Sequence, residues 1–327
     1  MRGLLWIGVV LAVLWGGYWV VGSTAVERGA AQWFDDQNAT GMVAKRDGIS
    51  VSGFPSRFDL TITSPELADP VTGWRWTAPF VQVLSMTWKP WHVIAALPRE
   101  QHLQVAGQKI DLTSAKIAAS VRVTPSTDLT LQEVVIEGHD ILATSDAGWK
   151  VATRSLVLAV ARDPVRPLDQ RVGLQIADLV PAPELAALVP DLGDTISVVH
   201  LDATMTLSAA LDRHMAETRP QLTRLSVGDF HLNWGSLAIA ATGQIDRGPD
   251  GLATGQIDFR VRNWRQIPAL MVAAGFIRPE MGETLTRGLQ ELANSGTDPD
   301  VLELPLTLAD GWMHLGPLPL GPAPLLD

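Results

Sequence analysis

The chain has 327 residues, 46% of them hydrophobic and 18% charged, with a formal net charge of −10. That length allows one large domain or two ordinary ones. The negative balance argues against nucleic acid, whose phosphates demand a basic surface, and against simple electrostatic adhesion to anionic lipid headgroups. The absence of cysteine excludes structural disulfides and thiolate metal sites.

The strongest signal is the amino terminus. After Met1 and Arg2 the run GLLWIGVVLAVLWGGYWVVGSTAV carries no charge from Gly3 through Val26. About 20 apolar residues suffice for a helix to cross the hydrocarbon layer. Trp15, Tyr18 and Trp19 lie toward one end, where interfacial aromatics belong, and Arg2 supplies a positive flank. Residues 1–25 therefore read as a transmembrane anchor with the N-terminus cytoplasmic and the bulk outside. The alternative is a secreted protein cleaved near Ala25, since Ser23-Thr24-Ala25 offers small residues where a signal peptidase reads them. The apolar run is longer than the roughly 7–15 residues of a signal peptide's core. Residues 26–41 follow as a juxtamembrane helix, with Val26, Ala30, Trp33 and Phe34 on one side.

From about Met42 the period changes to two. A corner, GFPSRFDL (Gly53–Leu60), opens one strand: Gly53 tolerates backbone conformations that other residues avoid. Pro55 fixes its own φ and holds Phe54 extended. Phe58, Leu60 and Ile62 then share one face, with Arg57 and Asp59 on the other. The same alternation marks Ile117–Val123, Val199–Leu207 and Ile257–Val261, which predicts antiparallel sheet with one apolar and one wet face. The hexamer ATGQID at Ala241–Asp246 recurs at Ala253–Asp258, separated by turn residues Arg247–Gly251, and predicts a hairpin or meander. The connectors Asp163–Gln170 and Leu179–Asp194 suggest two subdomains of the 42–327 region, dividing near 163–195. Helices are few: a short one before Pro220, and two within Gln266–Asn294 divided near Arg278-Pro279, the second striped by Leu285, Leu289 and Leu292. At the carboxyl end Asp310-Gly311 turns a hairpin. The tail after Gly316-Pro317 is too proline-rich to pair fully in a sheet; it is expected to lie over an apolar face or against a partner.

Chemistry is sparse. No phosphate-cradling loop, dinucleotide fingerprint or Gly-x-Ser-x-Gly elbow is present. His92, His102, His139, His200, His214, His231 and His314 are scattered. His200 and Asp202 share a strand face, read as exposed polar surface rather than acid–base machinery. Glu133, Glu137 and Asp140 lack calcium-loop spacing. Asn38-Ala39-Thr40 matches the glycosylation sequon. Trp74 and Trp76, with Trp88 and Trp91, offer either an aromatic platform or ordinary sheet core. No catalytic, cofactor or metal residues are assigned, and no enzyme activity is expected. The residues singled out are structural: Gly53, Phe54, Pro55, Arg57, Asp310, Gly311, Gly316 and Pro317.

The apolar anchor, GFPSRFDL, the GQID…GLATGQIDFRVRN unit and the ending LADGWMHLGPLPLGPAPLL together resemble domain-of-unknown-function family 2125 of Gram-negative bacteria. That resemblance covers nearly the whole chain and implies no catalytic residues. More distantly the plan is similar to that of AsmA-like envelope proteins, which implies one inner-membrane anchor, an extended periplasmic β-sheet with an apolar concave face, and a role in lipid handling or envelope homeostasis. The expected fold is thus mainly β (α+β): a transmembrane helix, then an extended, curved antiparallel sheet with a few packed helices. The expected partners are the inner membrane, phospholipid acyl chains or other envelope proteins. The alternative function is a structural or interaction protein of the envelope without a ligand groove.

Overall fold

The computed structural model describes residues 2–273, 275, 278–296, 298–316 and 318–326. Pro317 lies outside the described residues. The chain forms two compact units: unit 1 is Met1–Pro125 with Ile136–Gly148, and unit 2 is Ser126–Val135 with Trp149–Asp327.

Unit 1 begins with helix α1 (Arg2–Ala39), 38 residues without interruption. A helix satisfies its backbone groups internally, which an apolar environment requires. The sheet that follows is an antiparallel up-and-down meander whose long strands are each broken once. The segments are β1 (Val43–Lys45) and β2 (Gly48–Ser52), β3 (Arg57–Thr63) and β4 (Glu66–Ala68), β5 (Arg75–Thr77) and β6 (Phe80–Met86), β7 (Lys89–Leu97) and β8 (Glu100–Val105), β9 (Gln108–Thr113) and β10 (Lys116–Val123). Strands pair in two parallel tiers: β2–β3–β6–β7–β10 below the breaks and β1–β4–β5–β8–β9 above them. Prolines explain several breaks, because Pro65, Pro79 and Pro98 have no N–H for the ladder. Ser64 at φ 47° adds a bend. Bonds such as Ser64 N–H to Pro79 O (2.9 Å) and Ala78 N–H to Pro65 O (3.2 Å) stitch neighbouring breaks together. The long β11 (Leu131–Ser145) joins β9 through Leu142–Ser145.

Unit 2 is a second meander: β12 (Lys150–Arg162), β13 (Asp169–Val180), β14 (Ile196–Leu207), β15 (Leu222–Trp234), β16 (Leu237–Arg247), β17 (Ala253–Arg262), β18 (Val301–Ala309), β19 (Trp312–Leu315) and β20 (Leu318–Pro322). Each pairs antiparallel with the next. The sheet is not closed into a barrel. Two single-turn helices, α2 (Pro183–Ala186) and α3 (Met215–Thr218), sit in connections. The expected helix before Pro220 is thus only one turn. The expected pair near the carboxyl end is α4 (Ile267–Ala273) and α5 (Gly282–Ser295).

The repeated hexamer has a clear structural reason. β16 and β17 pair around Gln244↔Gln256, so the two copies face each other about a local two-fold. Gly243 (φ +150°) and Gly255 (φ +135°) are reciprocal: a Cβ on either would lie 2.2 or 2.3 Å from the other copy's glutamine carbonyl. Only glycine permits that approach. Within each copy the Gln donates to the Asp two residues on, Gln244 to Asp246 at 2.7 Å and Gln256 to Asp258 at 2.6 Å.

Asp310 (φ 53°) and Gly311 (φ 77°) both take positive φ, as a type I′ two-residue hairpin between β18 and β19 requires. Gly316 (φ 56°) turns the chain again, its N–H bonding Pro305 O at 2.8 Å. The tail pairs in part: β20 pairs along β19 over Leu318–Pro322, shifted in register at Met313/His314. An edge strand needs its N–H groups on one side only, which leaves room for proline. The last residues then fold back on the 248–252 turn, with Ala253 N–H to Pro324 O at 2.8 Å and Leu326 N–H to Gly251 O at 3.0 Å.

Candidate functional site

The corner Gly53–Arg57 does not stand alone. Three side chains of α1 reach across to it and to the β6–β7 turn at Thr87-Trp88. Trp15 Nε1 donates to Pro55 O (2.9 Å), Trp19 Nε1 to Arg57 O (2.9 Å) and Tyr18 OH to Thr87 O (2.7 Å). Thr87 in turn donates its N–H (3.1 Å) and hydroxyl (3.2 Å) to Ser56 O. Rings complete the junction: Trp19 meets Phe54 edge-on at 5.4 Å and lies near-parallel to Phe58 at 6.3 Å. Gly22 leaves space for the Phe58 ring, since a Cβ there would lie 2.5 Å from Phe58 Cζ. Gly53 is at φ +100°, where a Cβ would sit 2.9 Å from Arg57 O. The Phe54–Pro55 peptide is cis, and Arg57 pairs with Asp59 at 2.9 Å. The aromatics of α1, expected at a water–lipid boundary, are thus donors to a β-corner. The strand they abut, β3, is not an edge: it pairs with both β2 and β6.

From Phe58 an apolar face runs across unit 1. Register aligns Leu60 with Val83, Val83 with Ala95, and Ala95 with Ala119. Phe58 and Leu60 are buried, whereas Val83, Ala95, Ala119 and Val121 are only half-buried. α1 packs on β1–β3, and no other helix belongs to unit 1 among the described residues.

Unit 2 has the same alternation but fills much of its face. Trp264, Leu285, Leu289 and Ala293 pack on Trp234, Leu237, Val261 and Leu302 as one core. Trp264 and Val189 are fully buried. A second cluster joins Ala323 of the tail to Ala253 and Leu308. An open apolar cavity of about 260 Å³ is lined by Leu201, Leu225, Val227, Phe230, Ile245 and Phe259, among others.

His200, separated from the other histidines in the sequence, meets His231 across the β14–β15 pair. The rings stack at 4.7 Å, and Asp229 Oδ2 lies 3.3 Å from His231 Nδ1 and 3.8 Å from His200 Nε2. Asp229 lies two residues before His231 on β15, so the two side chains share a face of the strand. These residues are the one group among those described with metal-ligand geometry. Stacking and the Asp229 hydrogen bond account for the arrangement without an ion. Asp202, the residue paired with His200 in the sequence reading, is absent from these contacts.

Other candidates have local roles. Glu137 bonds Lys116 at 2.8 Å, which lowers its pKa. Asp246 is lowered by Arg224 and Gln244, Asp69 by Thr72 and the Val71 N–H, and Asp163 by the N–H groups of Arg166 and Val165. Each shift arises from a local hydrogen bond or a cross-strand ion pair, the opposite of the burial-driven shifts of acid–base sites. Asn38 of the sequon uses its amide to bond Phe34 O, Ala44 O and Ala44 N–H, at 2.9, 2.8 and 2.9 Å. Trp76 is half-buried and donates to Gln101 at 3.0 Å. Trp88 is 57% exposed at its turn. No ring contact joins the four clustered tryptophans among the described residues.

These features define a class: a mostly β protein of antiparallel meanders, carrying one N-terminal helix long and apolar enough to cross a membrane. Residues 19–324 match the family described as "uncharacterized protein conserved in bacteria" (DUF2125), and the chain belongs to that family. No curated protein and no solved structure matches it. None of these matches links the chain to AsmA-like proteins.

Proposed function

We propose that this protein is anchored by α1 in the bacterial inner membrane and presents an apolar sheet face, on the periplasmic side, that binds or transfers lipid acyl chains. The observation that carries this reading is the face of unit 1. It starts at Phe58, in contact with Gly22 of α1, and continues through half-buried Val83, Ala95 and Ala119, with no helix of its own unit other than α1 among the described residues. A chain leaving the bilayer along α1 would meet apolar surface at once. Each methylene removed from water contributes about 0.8 kcal/mol. Retention of the anchor is supported by the helix running unbroken through Ser23–Ala25, with Ser23 buried; an extended cleavage segment is absent there. On this reading the protein binds rather than catalyses.

Photo-crosslinking in cells tests it. A photoreactive residue at Val83 or Ala119 is expected to yield phospholipid adducts. Adducts to other envelope proteins alone would instead favour the second reading, a structural interaction protein. The self-filled core of unit 2, where α5 lies on β18, is the feature that favours that alternative.

A further inference from the structure

The anchored reading leaves a length problem in α1. The uncharged stretch Gly3–Val26 rises about 36 Å as a helix, enough for the roughly 30 Å hydrocarbon layer with some tilt. However, its outer part is already occupied: Trp15, Tyr18 and Trp19 bond the Pro55, Thr87 and Arg57 carbonyls, and Gly22 receives Phe58. Below that junction only Gly3–Leu14 projects free, a rise of about 18 Å. A helix held this way cannot span the hydrocarbon while the corner stays in water.

We infer that the Gly53–Arg57 corner and the Thr87-Trp88 turn are themselves a membrane-inserted foot, seated in the leaflet that α1 leaves. This rests on the anchored reading and adds a second lipid contact to it. By length, the foot must reach into the outer roughly 12 Å of hydrocarbon.

Two observations fit the foot to lipid. The first is its outer surface. Phe54 is 61% exposed, Trp88 57% and Met86 43%, and neither Gly53–Ser56 nor Pro79–Trp88 contains a charge. Arg57 and Lys89 come immediately after these segments, where long cationic stems extend toward headgroups. The second is the backbone. Turn carbonyls ordinarily bond water, and in hydrocarbon each unsatisfied one is costly. Here Pro55 O, Arg57 O and Thr87 O accept from α1, Ser56 O accepts twice from Thr87, and Gly53 O accepts the N–H groups of Ser56 and Arg57. A turn meant for water needs no such cover.

The chain has no cysteine, so single-cysteine spin labels read depth without background. Full-length protein with Phe54→Cys, Met86→Cys or Trp88→Cys is reconstituted in phosphatidylethanolamine/phosphatidylglycerol vesicles. Val10→Cys marks the anchor, and Val71→Cys, at a 92% exposed position, marks the aqueous side of unit 1. Labels at 54, 86 and 88 are expected to favour collision with oxygen over a water-soluble nickel reagent, the reverse of position 71 and shallower than position 10. If position 10 is in lipid while 54, 86 and 88 behave like 71, the foot is overturned and the anchor stands. If position 10 also behaves like 71, the anchored reading fails, and the foot with it. Measuring three foot positions guards against one label disturbing the Trp19–Phe54 contact.

Discussion

The two units are built from the same strand pattern but close their apolar faces differently. Unit 2 carries its own cover: α4 and α5 close a core around Trp264 and Leu289, and the tail closes a smaller, separate cluster with Ala253 and Leu308. Unit 1 has α1 along β1–β3 and then a row of half-buried valines and alanines. Both faces arise from two-residue alternation, which states that a face is apolar and is silent on what lies against it. The difference comes from insertions. The β17–β18 connection holds two helices, whereas the connections of unit 1 include turns as short as Thr87-Trp88. Stability in unit 2 should therefore rest on packing within the unit, and in unit 1 on the junction with α1.

The largest expected effect breaks the cover of unit 2. Leu289 is 1% exposed at the centre of the core, and Leu289→Ala should cost about 2–5 kcal/mol. Val83→Ala, on the half-buried face of unit 1, should cost well under that. Because two units need not unfold together, the measure is hydrogen exchange resolved by segment rather than one melting point. Equal losses of protection for the two variants would show that the faces are covered alike.

A smaller effect probes the junction in unit 1. Gly53→Ala places a Cβ 2.9 Å from Arg57 O at φ +100°, and should cost about 1–3 kcal/mol. Faster exchange is expected in β2 and β3, with β14–β18 unchanged. Loss of protection spread evenly over both units would contradict the separation drawn here.

Much of this was legible in the residues, and the limits are physical. Alternation located β3, β10, β14 and β17, because a strand with one wet face must alternate. The repeated hexamer announced the β16–β17 pairing, and Asp310-Gly311 the turn between β18 and β19, since both depend on local backbone freedom. The meeting of His200 with His231 was hidden, because it depends on the register between β14 and β15, which their irregular connection does not fix. The donors Trp15, Tyr18 and Trp19 looked like membrane-interface aromatics, and only the docked helix gives them Pro55, Thr87 and Arg57 as acceptors. The prolines that break the strands of unit 1 were visible individually. Their alignment into one line of breaks required the pairing.

The smallest effect compares surface ion pairs, one in each unit. Glu137 pairs with Lys116 in unit 1 and Asp246 with Arg224 in unit 2, and both carboxyls are held below their ordinary pKa by those partners. A carboxyl lowered in the folded state contributes stability that is full above its unfolded pKa, about 4. That contribution is lost as pH falls through the folded value. Asp246→Asn should therefore flatten the acid side of the stability profile for β15 and β16 only, and Glu137→Gln should do so for β10 and β11. Both changes should be small, because exposed pairs contribute little, and smaller again at high salt, where such pairs are screened. Asp246 has an additional donor in Gln244 at 2.7 Å, part of the repeated hexamer. A hydrogen bond from a neutral amide to a carboxylate is a short-range contact that salt screens less than an ion pair, so the loss of Asp246 should be less sensitive to salt than that of Glu137. Segment-resolved exchange at pH 3 to 7 (about the carboxylate range) in low and high salt measures this. Equal salt sensitivity would mean that the Gln244 contact adds nothing to the pair.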